Sequence, residues 1–210
     1  MLSLPEIEAR LSAHAPALKA LAEGTGQAAV SMLLHEAPEG PSVLFIERAR
    51  REGDPWSGHM AFPGGRVDPT DRSAQAAAER ETLEEIGFSL DGASLIGRLD
   101  DKQGNPRTHS TLVISAFVYR VHATGPLVPN YEVEHAFWFP LASLLDSDRH
   151  VPYPAHELEF PGICVGDPRR HIVWGLTYSF LESFFHTLGR PLPNRWPVDM
   201  QRYDRSLTEA

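Results

Sequence analysis

Strand-like and helical segments alternate along this chain in an order that restricts the folds it can adopt. A helical segment from Ser73 to Ile86 is Ala-rich and ends at Gly87, and strand-like runs precede and follow it. These runs cover residues 28–34, 42–47, 93–99, 111–121 and 134–139. A second helix is predicted over 174–188. The order favours a mixed sheet that is covered by helices on both faces.

The N-terminal residues have a helical pattern of their own. Apolar residues recur at helical spacing and predict an amphipathic helix over about residues 4–23, which Pro16 breaks or kinks. The residues of this pattern are Leu4, Ile7, Leu11, Leu18 and Leu21. We therefore expect an N-terminal segment over residues 1–26, one main domain over 27–190, and a Pro-containing tail over 191–210.

The charge of the chain excludes some classes of partner. The formal net charge is −9 over 210 residues. An acidic surface repels nucleic-acid backbones and anionic lipids, so we expect neither a nucleic acid nor a membrane as a partner. An acidic protein that handles a small anionic substrate needs a local positive group, such as a bound cation.

Cys164 is the one cysteine in the sequence, so no disulfide can form within the chain and a reducing compartment fits. We interpret Cys164 as a small, partly buried side chain rather than a nucleophile. The N-terminal residues lack a long apolar core, and no run is long enough to span a bilayer. We therefore predict a cytoplasmic protein.

Three glutamates fall on one side of the predicted helix over 73–86. At about 100° per residue, Glu85 lies roughly 40° from Glu81 in one direction and Glu84 about 60° in the other. Such like-charge pairs destabilise a helix by roughly 0.2–0.5 kcal/mol each, so a purely structural helix gains nothing from them. A divalent cation reverses the effect, and carboxylate oxygens suit Mg²⁺ or Mn²⁺.

The residues around the glutamates fit a metal site. Arg80 lies next to Glu81 and one helical turn before Glu84, so it can hold the carboxylates in place. The Gly64-Gly65 pair allows a sharp turn that brings a backbone carbonyl close to the cation. Glu79 is expected to point to the opposite side, toward solvent.

A solvated charged face is the alternative interpretation of the run from Arg80 to Glu85, since most charge runs are solvated. The glycine pair upstream of the run and Gly87 downstream of it favour the metal site.

This segment resembles the Nudix box, whose pattern is Gly, five residues, Glu, seven residues, then Arg-Glu-apolar-x-Glu-Glu-x-Gly-apolar. The matching residues are Gly65, Arg80, Glu81, Thr82, Glu84, Glu85, Gly87 and Phe88. The interval from Gly65 to Arg80 is one residue longer than in the pattern. Asp71 stands for the upstream Glu, and Thr82 holds an apolar position.

The resemblance implies an α/β/α sandwich with a mixed central sheet and hydrolysis of a nucleoside diphosphate that is linked to another group. Glu81 and Glu85 would be the main ligands of Mg²⁺ or Mn²⁺. Glu84 would be a further ligand or would orient water, and Gly65 or its neighbour would offer a carbonyl. Glu84, Glu85 and Arg80 are thus expected to take part in catalysis.

The resemblance extends over roughly residues 27–190 and is similar to the coenzyme A pyrophosphatase branch of the family. The segments that carry it are Gly58, 61–65, 130–133, 139–141 and 174–177. That branch cleaves coenzyme A to 3′,5′-ADP and phosphopantetheine.

The loop before the glycine pair departs from that branch. Glu47-Arg48-Ala49 replaces a usual Lys-Arg-Ser, and Asp54 and Trp56 stand where Arg and His are expected. The loop over residues 50–55 is also lengthened. NADH, ADP-ribose or another dinucleotide therefore remain alternative substrates.

Further residues are predicted to border the site. Glu132 is expected to be an additional ligand or a base, with Glu134 or a plain surface role as the alternatives. Substrate contacts are expected from Arg48, Trp56, His59 and Phe62, and Trp56 suits either packing or stacking on adenine. Arg48, Arg50, Arg51, Lys102 and Arg107 could contact phosphates, although solvated surface charge is the ordinary state of each.

Other residues have simpler interpretations. Phe180, Phe184 and Phe185 are expected in the core, and Trp174 suits packing or a homodimer contact. His109 and His135 have no partner that the sequence identifies. Two other classes of function stay open: a nucleotide-binding module without turnover, which the intact glutamates disfavour, and a structural protein with an acidic helix.

Overall fold

The computed structural model describes residues 2–53, 56–104, 112–155 and 158–193. The helices in these ranges are α1 (Leu4–Ser12), α2 (Ala74–Ile86) and α3 (Gly175–Thr187). The strands are β1 (Gly26–Ala37), β2 (Gly40–Arg48), β3 (Met60–Ala61), β4 (Gly64–Arg66), β5 (Ser94–Arg98), β6 (Lys102–Gln103), β7 (Leu112–Val121), β8 (Val133–Pro140), β9 (His150–Ala155), β10 (Leu158–Cys164) and β11 (Ile172–Trp174). Two short 3-10 helices, Leu141–Leu145 and Ser147–Arg149, connect β8 to β9.

The main sheet is built around β1. This strand pairs parallel with β7 and antiparallel with β2 and β4, so the sheet is mixed. Beyond these strands, β2 pairs with β3 and β8, while β7 pairs with β5 and β6. A tight turn at Pro38 and Glu39 joins β1 to β2, with Ala37 opposite Gly40.

Helices cover the two faces of the main sheet. Ala78 and Ile86 of α2 belong to one hydrophobic cluster, together with Leu33 and Leu44 of the sheet. The opposite cluster contains α1 and α3, and its buried aromatic residues include Phe180, Phe184 and Phe185, at most 1% exposed. The predicted α/β/α sandwich with a mixed central sheet and the predicted core phenylalanines are confirmed.

The N-terminal helix is shorter than the apolar spacing predicts, because α1 ends at Ser12 instead of continuing to about residue 23. Pro16 has no N–H to donate to a helical carbonyl, which prevents the helix from continuing. Leu18 and Leu21 are 60% and 50% exposed, so they do not extend the apolar face. Residues 17 and 19 donate their backbone N–H groups to Asp100 and Asp101 instead.

The three-stranded antiparallel sheet of β9, β10 and β11 was not predicted from the sequence. Its strands contain Pro152, Pro154 and Pro161, which remove ladder donors and are unusual within strands. Strand β10 contacts α3, so this second sheet lies on the α3 side of the molecule.

The other predicted elements occur within a few residues of their expected bounds. The prediction of a surface tail lies almost wholly outside the described residues, as do the predictions for Asp54, Arg107 and His109. Across the described ranges, no helix combines the length and apolar character needed to cross a membrane.

We expect Gly97→Ala to destabilise the fold, because Gly97 of β5 lies directly under α1. A Cβ at this position would lie 2.8 Å from Leu11 Cβ, which is not a flexible side-chain end. Overpacking of this kind costs about 1–3 kcal/mol, which thermal or urea unfolding would measure. Gly125→Ala is the matched control, since a Cβ there meets no atom within 4 Å. Equal stability of the two variants would contradict this packing.

Candidate active site

Helix α2 carries Glu81, Glu84 and Glu85 and is capped at both ends. Ser73 caps its first turn, with Ser73 Oγ accepting the Ala76 N–H at 3.1 Å, and Gly87 ends it at a φ of +65°. Thr82 is fully buried, and its hydroxyl donates to the Ala78 carbonyl at 2.7 Å. The hydroxyl is thus satisfied within the helix, which explains how Thr82 occupies an apolar position of the box.

Glu85 is the most enclosed of the three glutamates of the helix, with a side chain that is 2% exposed. Its Oε2 accepts the Gly64 N–H at 2.9 Å, and its Oε1 lies 4.0 Å from Arg48 Nη1. Burial raises the pKa of Glu85 to about 8, and the charges of Glu81 and Glu132 act in the same direction. The Gly64 hydrogen bond and Arg48 oppose this rise.

Gly64 and Gly65 both lie so close to neighbouring atoms that a side chain would not fit at either position. A Cβ on Gly64 would collide with the Ala29 carbonyl of β1, and one on Gly65 would lie 2.5 Å from the Glu81 carboxyl carbon. The backbone of Gly65 therefore lies against the Glu81 carboxylate.

Arg80 joins the other two glutamates. Its Nη1 donates to Glu81 Oε1 at 2.8 Å and to Glu84 Oε2 at 3.0 Å. Burial raises the pKa of Glu81 although Arg80 acts against the rise. Glu84 is the outer member of the group, with a side chain that is 54% exposed. The predicted pairing of Arg80 with the carboxylates is confirmed.

Asp71 holds Arg80 from the other side through both carboxylate oxygens. Arg80 Nε and Nη2 donate to Asp71 Oδ1 and Oδ2, each at 3.0 Å. The Asp68 N–H also donates to Asp71 Oδ2, at 2.8 Å. These hydrogen bonds lower the pKa of Asp71. Asp71, which replaces the Glu of the box, therefore fixes the guanidinium that orients the glutamates.

Glu79 does not point to open solvent, so that prediction is wrong. Its carboxylate is half-buried and accepts the Tyr119 hydroxyl at 2.9 Å and the Gln75 side-chain amide at 2.8 Å. Tyr119 is a buried residue of β7, and its phenol needs an acceptor. Glu79 thus takes part in packing α2 on the sheet.

Glu132 lies near the glutamates of α2. Its charge is among those that raise the pKa of both Glu81 and Glu85. Its carboxylate lies 3.6 Å from Arg51 Nη1, and its carbonyl accepts the Ala49 N–H at 2.8 Å. Glu134, the alternative candidate for the additional ligand or base, is exposed on β8. It lies where the pairing of β8 with β2 is irregular, beside Arg48.

The predicted substrate-contact residues lie in different environments. Arg48 reaches Glu85, and Trp56 is 48% exposed on its loop. His59 is half-buried, with its ring edge against Trp174 at 4.9 Å. Phe62 is 3% exposed and stacks on Phe45 at 5.5 Å. Expecting Phe62 to contact substrate was therefore wrong: its ring fills the core beneath the glycine pair.

Other predicted contacts lie away from the glutamates. Lys102 is half-buried and donates to Ser183 of α3 at 2.7 Å, and burial lowers its pKa. Trp174 stacks on Tyr153 at 4.4 Å, so its ring takes part in packing within the chain. In the part of the chain that is described, no three Asp, Glu, His or Cys side chains are already grouped so that they could hold a metal ion.

Comparison with known proteins identifies the family. The model of the NUDIX domain matches residues 25–158. The chain belongs to the Nudix family. The Nudix hydrolase NudL of Cronobacter sakazakii is 30% identical over 171 residues, which cover 78% of this chain and 83% of that protein. The human mitochondrial coenzyme A diphosphatase is 30% identical over 159 residues, which cover 71% of this chain and 64% of that protein.

The match to other relatives covers less than two thirds of their length. An uncharacterised protein of Schizosaccharomyces pombe is 42% identical over 114 residues, covering 50% of this chain and 33% of that protein. The match to a second protein of that yeast covers 59% of its length. A Nudix hydrolase structure from Alicyclobacillus acidocaldarius superposes with a TM-score of 0.52 at 16% identity, covering 81% of this chain and 94% of that one. This likeness establishes the fold.

A buried ion cluster beside the Nudix site escaped prediction from the sequence. Glu47 of β2 is 1% exposed, and Arg170 donates to both of its oxygens at 2.9–3.2 Å. His171 Nδ1 accepts the Asp167 N–H, so its Nε2 carries the proton and faces Glu47 at 3.3 Å. His135, which the sequence left without a partner, lies 3.2 Å from Glu47.

Glu47 is adjacent to Arg48 in β2, which connects the buried ion cluster to the site. The two side chains leave opposite faces of β2, so Glu47 meets the loop before β11 while Arg48 meets Glu85. The replacement of a usual Lys by Glu47 was a signal in the sequence, but its partners Arg170 and His171 lie more than 120 residues away.

Arg170→Ala should destabilise the fold by about 1–3 kcal/mol, because Oε1 of the buried Glu47 carboxylate loses the two Arg170 N–H groups that donate to it. Chemical unfolding would measure the loss. Arg169→Ala is the matched control, since that side chain is 88% exposed and pairs with Asp167. If both variants unfold at the same denaturant concentration, the buried pair does not support the fold.

Glu85 should also make the metal-free protein less stable as pH rises. Its pKa rises from the ordinary 4.5 to about 8 on folding. A carboxyl group whose pKa is higher in the folded than in the unfolded protein stabilises the fold fully below the unfolded pKa. This stabilisation is lost as pH rises from the unfolded pKa through the folded pKa. In EDTA, we expect the melting temperature of wild type minus that of Glu85→Gln to fall between pH of about 5 and about 8. A pH-independent difference would contradict this.

Proposed function

We propose that this chain hydrolyses the pyrophosphate bond of a nucleoside diphosphate that is linked to another group, with Mg²⁺ or Mn²⁺ as cofactor. The observation that carries the proposal is the meeting of Glu81 and Glu85 at the Gly64-Gly65 turn, with Glu84 joined to Glu81 through Arg80. Family membership supports the same class of reaction.

The residues present fit a divalent cation. Glu81 and Glu85 both have raised pKa values because their carboxylates are withdrawn from water, which is a cost that a nearby cation relieves. Their oxygens are hard ligands of the kind that Mg²⁺ and Mn²⁺ prefer. We propose Glu81, Glu85 and Glu84 as ligands, together with the carbonyl of Gly65. Water and substrate oxygens would complete the coordination, as is usual for Mg²⁺.

Other residues of the chain hold the proposed ligands in position. Asp71 and Arg80 hold Glu81 and Glu84 in place through paired hydrogen bonds. The Gly64 N–H fixes one oxygen of Glu85. When bound, the cation neutralises phosphate charge and lowers the pKa of bound water. Arg80, Glu84 and Glu85 are thus proposed as catalytic residues.

Glu132 is proposed as the general base or a further ligand. Its side chain is 34% exposed, so water and substrate can reach it, and its charge acts on Glu81 and Glu85. Arg48, Trp56 and His59 remain proposed substrate contacts. Arg48 already supplies positive charge beside Glu85, where the diphosphate would lie.

Coenzyme A, cleaved to 3′,5′-ADP and phosphopantetheine, is the proposed substrate. Its support is the similarity to the human mitochondrial coenzyme A diphosphatase and the branch-like segments around the glycine pair. The departures at Glu47, Asp54 and Trp56 favour testing NADH, ADP-ribose and dinucleotides as alternative substrates.

A substrate panel tests this proposal. The protein is incubated with Mn²⁺ or Mg²⁺ and with coenzyme A, NADH, ADP-ribose or a diadenosine polyphosphate in ¹⁸O-labelled water. We expect release of 3′,5′-ADP from coenzyme A, and the position of the label identifies the phosphorus attacked. Turnover of another compound without release of 3′,5′-ADP would exclude coenzyme A. No turnover of any compound would exclude the hydrolase.

Glu85→Gln separates a hydrolase from a nucleotide-binding module. The variant removes a charged ligand while keeping the size of the side chain, so turnover should fall by about 10²–10⁴-fold while the protein stays folded. Glu39→Gln, in the exposed β1–β2 turn, is the control and should retain full activity. Undiminished turnover by Glu85→Gln would remove Glu85 from the proposed machinery.

A further inference from the structure

Tyr131 has an unusually exposed ring at a position next to the site. Its exposure of 76% is the highest among the exposed large hydrophobic residues within the described ranges. A single exposed aromatic residue is ordinary on a protein surface. This one immediately precedes Glu132, whose charge acts on Glu81 and Glu85.

The ring of Tyr131 is held in place although it is exposed. The guanidinium carbon of Arg51 lies 4.5 Å from the ring centroid, and Arg51 Nη2 donates to the Tyr131 carbonyl at 3.0 Å. Arg51 Nη1 lies 3.6 Å from the Glu132 carboxylate. One guanidinium therefore separates the ring from a carboxylate of the site, and its cation–π contact orients the ring.

The backbone around Tyr131 is hydrogen-bonded to helix α2. The Asn130 N–H donates to the carbonyl of Glu85 at 2.8 Å, and the Glu132 N–H donates to the Asn130 side chain at 2.7 Å. The Ala49 N–H donates to the Glu132 carbonyl at 2.8 Å. The ring thus has a fixed position relative to Glu85 on one side and to the Arg51 loop on the other.

We propose that Tyr131 and Arg51 form a stacking platform for the base of the nucleotide substrate. A planar base has a π face that stacks on an aromatic ring, while the guanidinium supplies positive charge toward the phosphates. This inference rests on the proposed function and gives the site a means of distinguishing nucleotides from other diphosphates. Purine nucleotides should bind better than pyrimidine nucleotides, because a purine offers more stacking surface.

Binding of ADP and of inorganic pyrophosphate, each measured by calorimetry with Mn²⁺, tests the platform separately from turnover. Tyr131→Ala should weaken ADP binding by about 5- to 150-fold, the range expected for loss of one stacked base. Pyrophosphate binding should be unchanged, because it has no base. Tyr131→Phe keeps the ring and should bind ADP like wild type. Val128→Ala, a nearby 62% exposed residue, is the control for surface changes.

The outcomes distinguish this inference from the proposed function. Selective loss of ADP binding in Tyr131→Ala supports the platform even if no tested compound is hydrolysed. Equal weakening of ADP and pyrophosphate, unchanged ADP binding, or failure of wild type to bind ADP would each overturn it. A hydrolase whose Tyr131→Ala variant keeps its KM for every nucleotide would retain its proposed function and lose the platform.

Discussion

The structure of the site depends on one arrangement of charge: the Arg80 guanidinium lies between Asp71 and the glutamates of α2. Asp71 holds two of its nitrogens, so the remaining Nη1 meets Glu81 and Glu84 in a fixed direction. Glu85 lies outside this network and is fixed by the Gly64 N–H instead. Like charges on one helix face are thus held together by Arg80, by Arg48 beside Glu85 and by the Gly64 N–H, and a divalent ion would complete their neutralisation.

Close packing of α2 against β1 and β4 positions these charged groups. The alanines of α2 and the satisfied hydroxyl of Thr82 let the helix lie close to β1, and the glycine pair lets β4 reach the carboxylates. Residues outside the matched Nudix segment also contribute, because Arg170 and His171 bind Glu47 directly beside Arg48. The second sheet and the loop before β11 therefore support the wall of the site from the opposite face of β2.

The sequence predicted what local rules determine and missed what distant contacts determine. The capped helix over residues 74–86, the layer order and the position of Arg80 follow from spacing and end signals that lie within one segment. Helix α1 was predicted too long because Leu18 and Leu21 keep helical spacing after Pro16 has ended the helix. Strands β9 and β10 were missed because of their prolines. The burial of Phe62 and the partners of Glu47 depend on tertiary packing, which spacing does not encode.

The central claim is that a divalent ion lies among Glu81, Glu84 and Glu85. A crystal soaked in Mn²⁺ and measured at a wavelength with manganese anomalous signal tests this most directly. The account predicts an anomalous peak in contact with Glu81 and Glu85 and next to the Gly65 carbonyl. A well-ordered α2 with no peak beside these carboxylates would contradict it, and so would a peak at other residues alone.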